Sequence, residues 1–232
     1  KLLSADYSQI ELRVVAHLAG DKEMIKIFKE GKDIHSVTAA EILGVKENEV
    51  GKDSRRMAKV LNFGVIYGMS IHGFAQAAGI EVARAKEFIK KYFVEFAGVA
   101  KFIEKTKKDA GRDGFVQTLF GRKRFIPEIN SSVWNLKQAA ERMAINMPVQ
   151  GTAADLLKMA MVEIAKRLPL SAKLLLQVHD ELIFEVPAKE VPKIAKMVKE
   201  IMENIYQLSV PLKVDVETGD NWGELKQLTI NP

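Results

Sequence analysis

The chain contains no cysteine. That absence excludes disulfides, thiolate metal sites and a cysteine nucleophile, and it fits a reducing compartment such as the cytoplasm. No apolar run reaches the roughly 18 residues that a membrane span needs, and no secretory signal is visible at the N-terminus. The four histidines, His17, His35, His72 and His179, lack the spacing of a zinc protease, which favours oxygen-ligated ions over zinc. A Walker-type Gly-rich loop is missing too, which argues against a P-loop NTPase. Repeats and low-complexity tracts are absent. Asn130-Ser131-Ser132 matches a glycosylation sequon, but no export signal gives it meaning.

What is present is globular text. The 232 residues are 47% hydrophobic, enough for a sizeable core in one large domain or two small ones, and the formal charge of +5 permits a polyanionic partner without demanding one. The chain opens on Lys1 and runs straight into strand-like "KLLSADYS". A domain rarely begins mid-strand, so the expectation is a C-terminal piece of a longer polypeptide.

Residues 2–6 read as a strand, and the next helix carries Ile10, Val14, Val15 and Leu18 at helical spacing before Gly20. Asp21 is placed to cap a second helix, and "DIHSVTAAEILG" reads as a third. Asp53 or Ser54 is expected to cap a fourth. Helical text continues to about residue 112. "GFVQTLFGRKRFIP" then reads as two short strands around residues 120–122. Long helical text from 133 to 167 contains Pro148, which removes a backbone donor and is expected to kink or split it. "AKLLLQVHDELIFEVP" is a hairpin turning at His179-Asp180, a poor pair for a two-residue loop on backbone grounds. A chemical role for those side chains is implied. An amphipathic helix and a last strand, "PLKVDVETG", follow. The fold class is therefore α+β: an antiparallel sheet drawn from both ends of the chain, with a mainly helical block inserted between them.

Two features carry chemistry. In "RRMAKVLNFGVIYG", residues 55–68, the side chains Arg55, Lys59, Phe63 and Tyr67 recur every four positions. Each such step drifts only about 40° around a helix, so two cations and two rings share a slanted stripe. Taken alone, the stripe reads first as a solvated face with core-facing rings. Asp6 ends the first strand and Asp180 sits at the hairpin tip. Neighbouring strands would bring these anions together, which calls for a shared proton or a bound cation, and Mg²⁺ suits carboxylates plus substrate phosphates. Asp6 as a helix cap and Asp180 as a solvated turn residue remain the plain alternatives.

Three stretches, "DYSQIELR" (6–13), "RRMAKVLNFGVIYG" (55–68) and "QVHDE" (177–181), closely resemble the three polymerase motifs of family A DNA polymerases, the DNA polymerase I type, in the family's order. "QTLFGRKR", "NMPVQGTAAD" and "GDNWGE" resemble family text as well, so the resemblance covers essentially the whole chain. It implies an antiparallel palm sheet with helices (residues 1–30 and 131–232) and inserted helical fingers (31–130). It also implies template-directed transfer of a deoxynucleotide to a primer 3′-OH with release of pyrophosphate, a reaction that rests on positioning and charge neutralisation.

By the same resemblance two Mg²⁺ ions are the cofactors, with Asp6, Asp180 and the Tyr7 carbonyl as ligands and Glu181 as a supporting carboxylate. Arg55, Lys59 and His35 would meet the triphosphate of the dNTP, Lys59 counting with Asp6, Asp180 and Glu181 as catalytic. Phe63 would lie against sugar and base, and Tyr67 at the template side. Glu11 would be a steric gate against a 2′-OH. Arg142 and Gln150, with Asn146 between them at the same four-residue step, would face the minor groove of the primer-template. His179 would reach the primer end, and the basic run Arg122-Lys123-Arg124 would hold backbone phosphate or simply be solvated. The thumb and upstream palm normally precede the first motif, so a further N-terminal polymerase segment is an expected partner. A binding-only fragment and a metal-dependent nuclease are the competing classes.

Overall fold

The computed structural model describes residues 1–229. In chain order it comprises β1 (Leu2–Tyr7), α1 (Ile10–Ala19), α2 (Lys22–Lys29), α3 (Ile34–Leu43), α4 (Lys52–Ile66), α5 (Ile71–Ala78), α6 (Val82–Glu95), α7 (Ala97–Asp113), β2 (Phe115–Gln117), β3 (Lys123–Phe125), α8 (Trp134–Arg167), β4 (Lys173–Val178), β5 (Glu181–Glu185), α9 (Val191–Asn204), β6 (Val214–Gly219) and β7 (Lys226–Gln227), with short 3-10 turns between some of them. These fall into two compact units, Lys1–Ile10 with the chain from Ala153 onward, and Glu11–Thr152. The mixed α+β class is as expected. No helix among the described residues is long and apolar enough to cross a membrane.

The first unit is an antiparallel five-stranded sheet in the order β4-β5-β1-β6-β7. β1 takes the central place, paired on both edges, with the alternate residues Leu3, Ala5 and Tyr7 buried on one face. Against the sheet lies α9, which buries Val191, Ile194, Ala195, Val198, Ile201 and Met202 at helical spacing. Each large apolar side chain so buried contributes about 1.5–3 kcal/mol. The two-residue β7 was not expected; so short an element carries no readable period. At the hairpin tip only His179 takes a positive φ, of 52°, and Asp180 does not.

The second unit holds the helices. Asp21 is buried and caps two of them at once: one carboxylate oxygen accepts from the Met24 N–H of α2 at 3.0 Å, the other from Gly98 N–H of α7 at 2.8 Å. Gly98 is there because a Cβ would lie 2.8 Å from Asp21. The β2–β3 hairpin packs on a cluster of Ala110, Val116, Ile126 and Ile129 with Ala140 and Ala144 of α8.

Two local expectations need correction. The N-cap of α4 is Gly51, not Asp53 or Ser54; its carbonyl accepts from Arg55 N–H at 3.0 Å, and Asp53 falls in the first turn, where its charge favours the helix dipole instead. Nor does Pro148 split α8, which runs unbroken from Trp134 to Arg167. One missing donor is a small loss beside the buried row Ala144, Val149, Ala153, Leu156 and Leu157 that holds the helix in place.

Candidate active site

The sheet unit ends in an acidic cluster. Strand register sets Asp6 opposite Glu181 on β5 and Asp215 on β6, so the three side chains share one face. Glu217 is the next residue on that face of β6, opposite Ser4. Beyond the end of the ladder, Tyr7 N–H donates to the Asp180 carbonyl at 3.4 Å, which sets the hairpin tip beside β1. The backbone here is anchored from below. The buried Tyr7 hydroxyl donates to the Met202 carbonyl of α9 at 2.7 Å, and Ser8 N–H donates to Lys213 O at 2.8 Å. Buried Ser4 donates to Glu181 Oε1 at 2.6 Å and fixes that carboxylate on the Asp6 face.

Among the described residues none of Asp6, Asp180, Glu181, Asp215 and Glu217 forms an ion pair with Lys, Arg or His. The electrostatic cost shows in Asp6. Its carboxyl keeps some contact with solvent, yet partial desolvation first, then the charges of Asp180, Glu181, Asp215 and Glu217, push its pKa up to about 6. Asp180 is raised as well, chiefly by desolvation, against the opposing pull of its own backbone N–H and of His179. The two non-glycine residues with positive φ among those described, Gln9 at 55° and His179 at 52°, flank this cluster in sequence. Such strain, of order 1–3 kcal/mol each, concentrates at functional sites. Gln177 Nε2 steadies the tip by donating to the His179 carbonyl at 3.1 Å.

In the helical unit, α3 and α4 assemble a second row. Asp33 is the N-cap of α3, accepting from the His35 and Ser36 N–H groups and from the Ser36 hydroxyl at 2.6 Å. The same carboxylate receives Arg55 in bidentate fashion, Nε at 2.6 Å and Nη2 at 3.3 Å. Desolvation alone would raise its pKa, but the Arg55 and Ser36 hydrogen bonds prevail and hold it down at about 2. Lys59 follows on α4 and is exposed. The His35 ring lies 5.9 Å from that of Phe63, and Phe63 stacks with Tyr67 at 6.3 Å and 17°. The Tyr67 hydroxyl donates to Glu11 Oε2 at 2.5 Å. Cations, imidazole, two rings and a carboxylate thus follow one another in one row.

The α4 helix stops at Gly68, whose φ of +64° needs glycine and whose missing Cβ leaves room for the Arg142 stem, 2.8 Å from where that atom would be. Arg142, Asn146 and Gln150 follow one face of α8; Arg142 and Gln150 are exposed, while the Asn146 Oδ1 is buried without a hydrogen-bond partner. Arg122 sits in the β2–β3 turn, which Thr118 closes by accepting the Arg122 and Phe120 N–H groups on its hydroxyl. Leu119 N–H to the Thr152 hydroxyl, at 3.0 Å, ties that turn to α8.

The family model for DNA polymerase family A matches residues 1–224. The chain belongs to that family. It is 54% identical to the thermostable DNA polymerase I of Thermus filiformis over 97% of this chain and 27% of the relative. Against DNA polymerase I of Deinococcus radiodurans it is 47% identical over 97% of this chain and 24% of that one. A solved POL domain of Pol1 from M. smegmatis, in complex with DNA primer-template and dNTP, aligns with a TM-score of 0.91 and 42% identity, covering 95% of this chain and 40% of that chain. The chain therefore spans about a quarter of the length of the curated relatives it matches.

Membership of DNA polymerase family A implies use of divalent metal in general. Among the described residues, no three His, Asp or Glu side chains form a metal cage. The donor chemistry nevertheless fits a cation, because unpaired carboxylates crowd one sheet end and raise one another's proton affinity. Sequence reasoning missed Ser4, Asp215 and Glu217 around Asp6, and Asp33, Thr38 and Asn62 around the row on α3 and α4. Asp33 and Asn62 lay in plain view, one opening "DIHS" and the other just before Phe63, but a side chain that holds another leaves no spacing signal of its own.

Proposed function

We propose that this chain carries the nucleotidyl-transfer centre of a template-directed DNA polymerase, acting on a primer-template and dNTPs in replication or repair, in the cytoplasm. The observation that carries the reading is the run of unpaired carboxylates around Asp6 and the Asp180 tip. Residues 1–30 and 131–232 serve as palm and 31–130 as fingers; residues 230–232 lie outside those described. Asp6, Asp180 and the Tyr7 carbonyl would hold Mg²⁺, two ions in all, with substrate phosphates filling the remaining positions. When bound, the ions supply charge neutralisation for the attacking and leaving oxygens. Glu181, tethered by Ser4, supports the field around Asp6.

The chain's other residues bind and select. Arg55 exchanges Asp33 for the triphosphate, Lys59 adds a second cation and His35 a hydrogen bond. Phe63 stacks on the incoming nucleotide, and Tyr67 takes the template side while it holds Glu11 in place to reject a 2′-OH. Arg142 and Gln150 donate to minor-groove acceptors that every base pair presents alike, with Asn146 between them. His179 meets the primer end, and Arg122 a backbone phosphate. The relatives are far longer than the matched region, and in this reading an additional N-terminal polymerase segment would grip the duplex.

The test is a primer-extension assay with labelled dNTP and Mg²⁺, with and without the upstream segment. Extension that falls at least about 100-fold in Asp6→Asn and Asp180→Asn is expected. Shortening of the primer would point to a nuclease, and binding without extension in every combination to a passive fragment.

A further inference from the structure

Beneath the row proposed to meet the nucleotide lies a buried polar knot whose members are His35, Thr38 and Asn62, at 2%, 0% and 0% exposure. Its hydrogen bonds follow from how the Asn62 amide stands, with Nδ2 toward both the Thr38 hydroxyl and the His35 ring. The one hydroxyl hydrogen of Thr38 goes to the Ile34 carbonyl at 2.7 Å, so Thr38 Oγ1 accepts from Asn62 Nδ2 at 3.1 Å. The second Asn62 N–H meets His35 Nδ1, also at 3.1 Å. Asn62 Oδ1 lies 3.3 Å from the same hydroxyl, and the Nδ2 side of the amide faces the ring. With Nδ2 toward the ring, an amide N–H cannot accept, so His35 Nδ1 does, and the ring proton resides on Nε2. A plain packing role would need only that these polar groups be satisfied. Here their arrangement also settles which nitrogen of a ring in the nucleotide row can donate.

We propose that Asn62, backed by Thr38, is a positioning residue that holds His35 as the neutral Nε2–H tautomer, so that the ring meets a nucleoside triphosphate as an uncharged, directional hydrogen-bond donor. This rests on the reading of His35 as a triphosphate contact. The charged groups facing His35 are Asp33 at the head of α3, and Arg55 and Lys59 on α4. Burial is the largest influence and keeps the ring neutral, the two cations add to it, Asp33 opposes, and the pKa is held at about 4. Charge then comes from Arg55 and Lys59, while His35 contributes direction without a further charge to retain departing pyrophosphate.

The test is ¹⁵N NMR of histidine-labelled protein, the His35 signals being those lost in His35→Gln. Between pH 6 and 8 the wild type is expected to show an unprotonated Nδ1 and a protonated Nε2. Asn62→Asp inverts this, because a carboxylate accepts from Nδ1–H, and it brings His35 titration toward neutral pH. Asn62→Leu and the milder Thr38→Val lose the single-tautomer preference. In parallel, calorimetric titration with dTTP and MgCl₂ is expected to show binding about fivefold weaker in Asn62→Leu, one hydrogen bond's worth. Binding to Asn62→Asp gains a pH dependence beyond the one that wild type itself shows. A protonated Nδ1 in the wild type overturns the proposal. So does unaltered dTTP binding in Asn62→Leu and Thr38→Val when His35→Gln binds more weakly. If His35→Gln itself binds dTTP normally while the tautomer is as stated, it is the triphosphate contact that fails, and the functional half of the proposal goes with it.

Discussion

Replacing Asp33 by Asn separates two jobs that one carboxylate performs. Asn still caps α3, since it is as good an N-cap as Asp, but it cannot form the charge-assisted bidentate pair with Arg55. The lowering of the Asp33 pKa from 3.8 to about 2 would correspond to roughly 2.4 kcal/mol at 1.36 kcal/mol per tenfold change in proton affinity. Both side chains are partly exposed, at 30% for Asp33 and 47% for Arg55, and part of the effect belongs to Ser36, so about 1 kcal/mol is a fair expectation for the pair. The sign follows from the depressed pKa. The contribution is present above pH 3.8 and is lost as pH falls toward 2, so acid unfolding should lose this increment in the wild type and not in Asp33→Asn. At pH 7.5 the variant should be about 1 kcal/mol less stable to urea. It should also bind dTTP about two- to fivefold more tightly, because Arg55 no longer has to leave a partner. Unfolding curves and calorimetric titration of the two proteins decide it. Weaker dTTP binding by a well-folded Asp33→Asn would refute the idea that Asp33 competes with the nucleotide for Arg55, and would make the pair a support for the bound state instead.

Glu11→Ala should raise ribonucleotide incorporation relative to deoxynucleotide in a competition assay, and Tyr67→Phe should do so more weakly, by roughly tenfold, because it releases the 2.5 Å hydrogen bond that holds the carboxylate; an unchanged ratio in both removes the gate. Asp6 binds its proton more tightly folded than unfolded, so its ionisation lowers stability as pH rises from 3.8 through about 6. Discounted for its exposure this is about 1 kcal/mol, so metal-free Asp6→Asn should melt about 2–4 °C higher than wild type at pH 8 and no higher near pH 4, and scanning calorimetry in EDTA would show otherwise if the cluster were not crowded. Asp21→Ala should cost about 2 kcal/mol in urea unfolding, twice a single cap, because it uncaps α2 and α7 together; a loss no larger than one exposed cap would undercut that reading.

Much of this was legible in the chain itself, for physical reasons that differ by element. The strand and helices with strong periods, such as β1 and α9, and the glycine stops after α3 and α5 are encoded locally, and so they could be read. The stripe of Arg55, Lys59, Phe63 and Tyr67 was readable because one helix presents all four. What could not be read are pairings set by register between distant segments. Asp215 and Glu217 are opposite β1 only because β6 returns to it, and nothing in "KVDVETG" announces that. The Asp33–Arg55 pair and the Asn62–His35 bond likewise depend on how α3 lies against α4. At Pro148 a local rule predicted a kink or a split, and the split is not there: α8 runs on, with buried neighbours on both sides of the proline.

The central claim is that Asp6 and Asp180 act together on a divalent ion that serves a nucleoside triphosphate. Anomalous diffraction from crystals soaked with Mn²⁺ and dTTP tests it most directly. The account predicts a manganese peak within coordination distance of both carboxylates and of a dTTP phosphate oxygen, absent from Asp180→Asn crystals. Manganese bound elsewhere on the protein, or dTTP ordered with no ion at either aspartate, would contradict it.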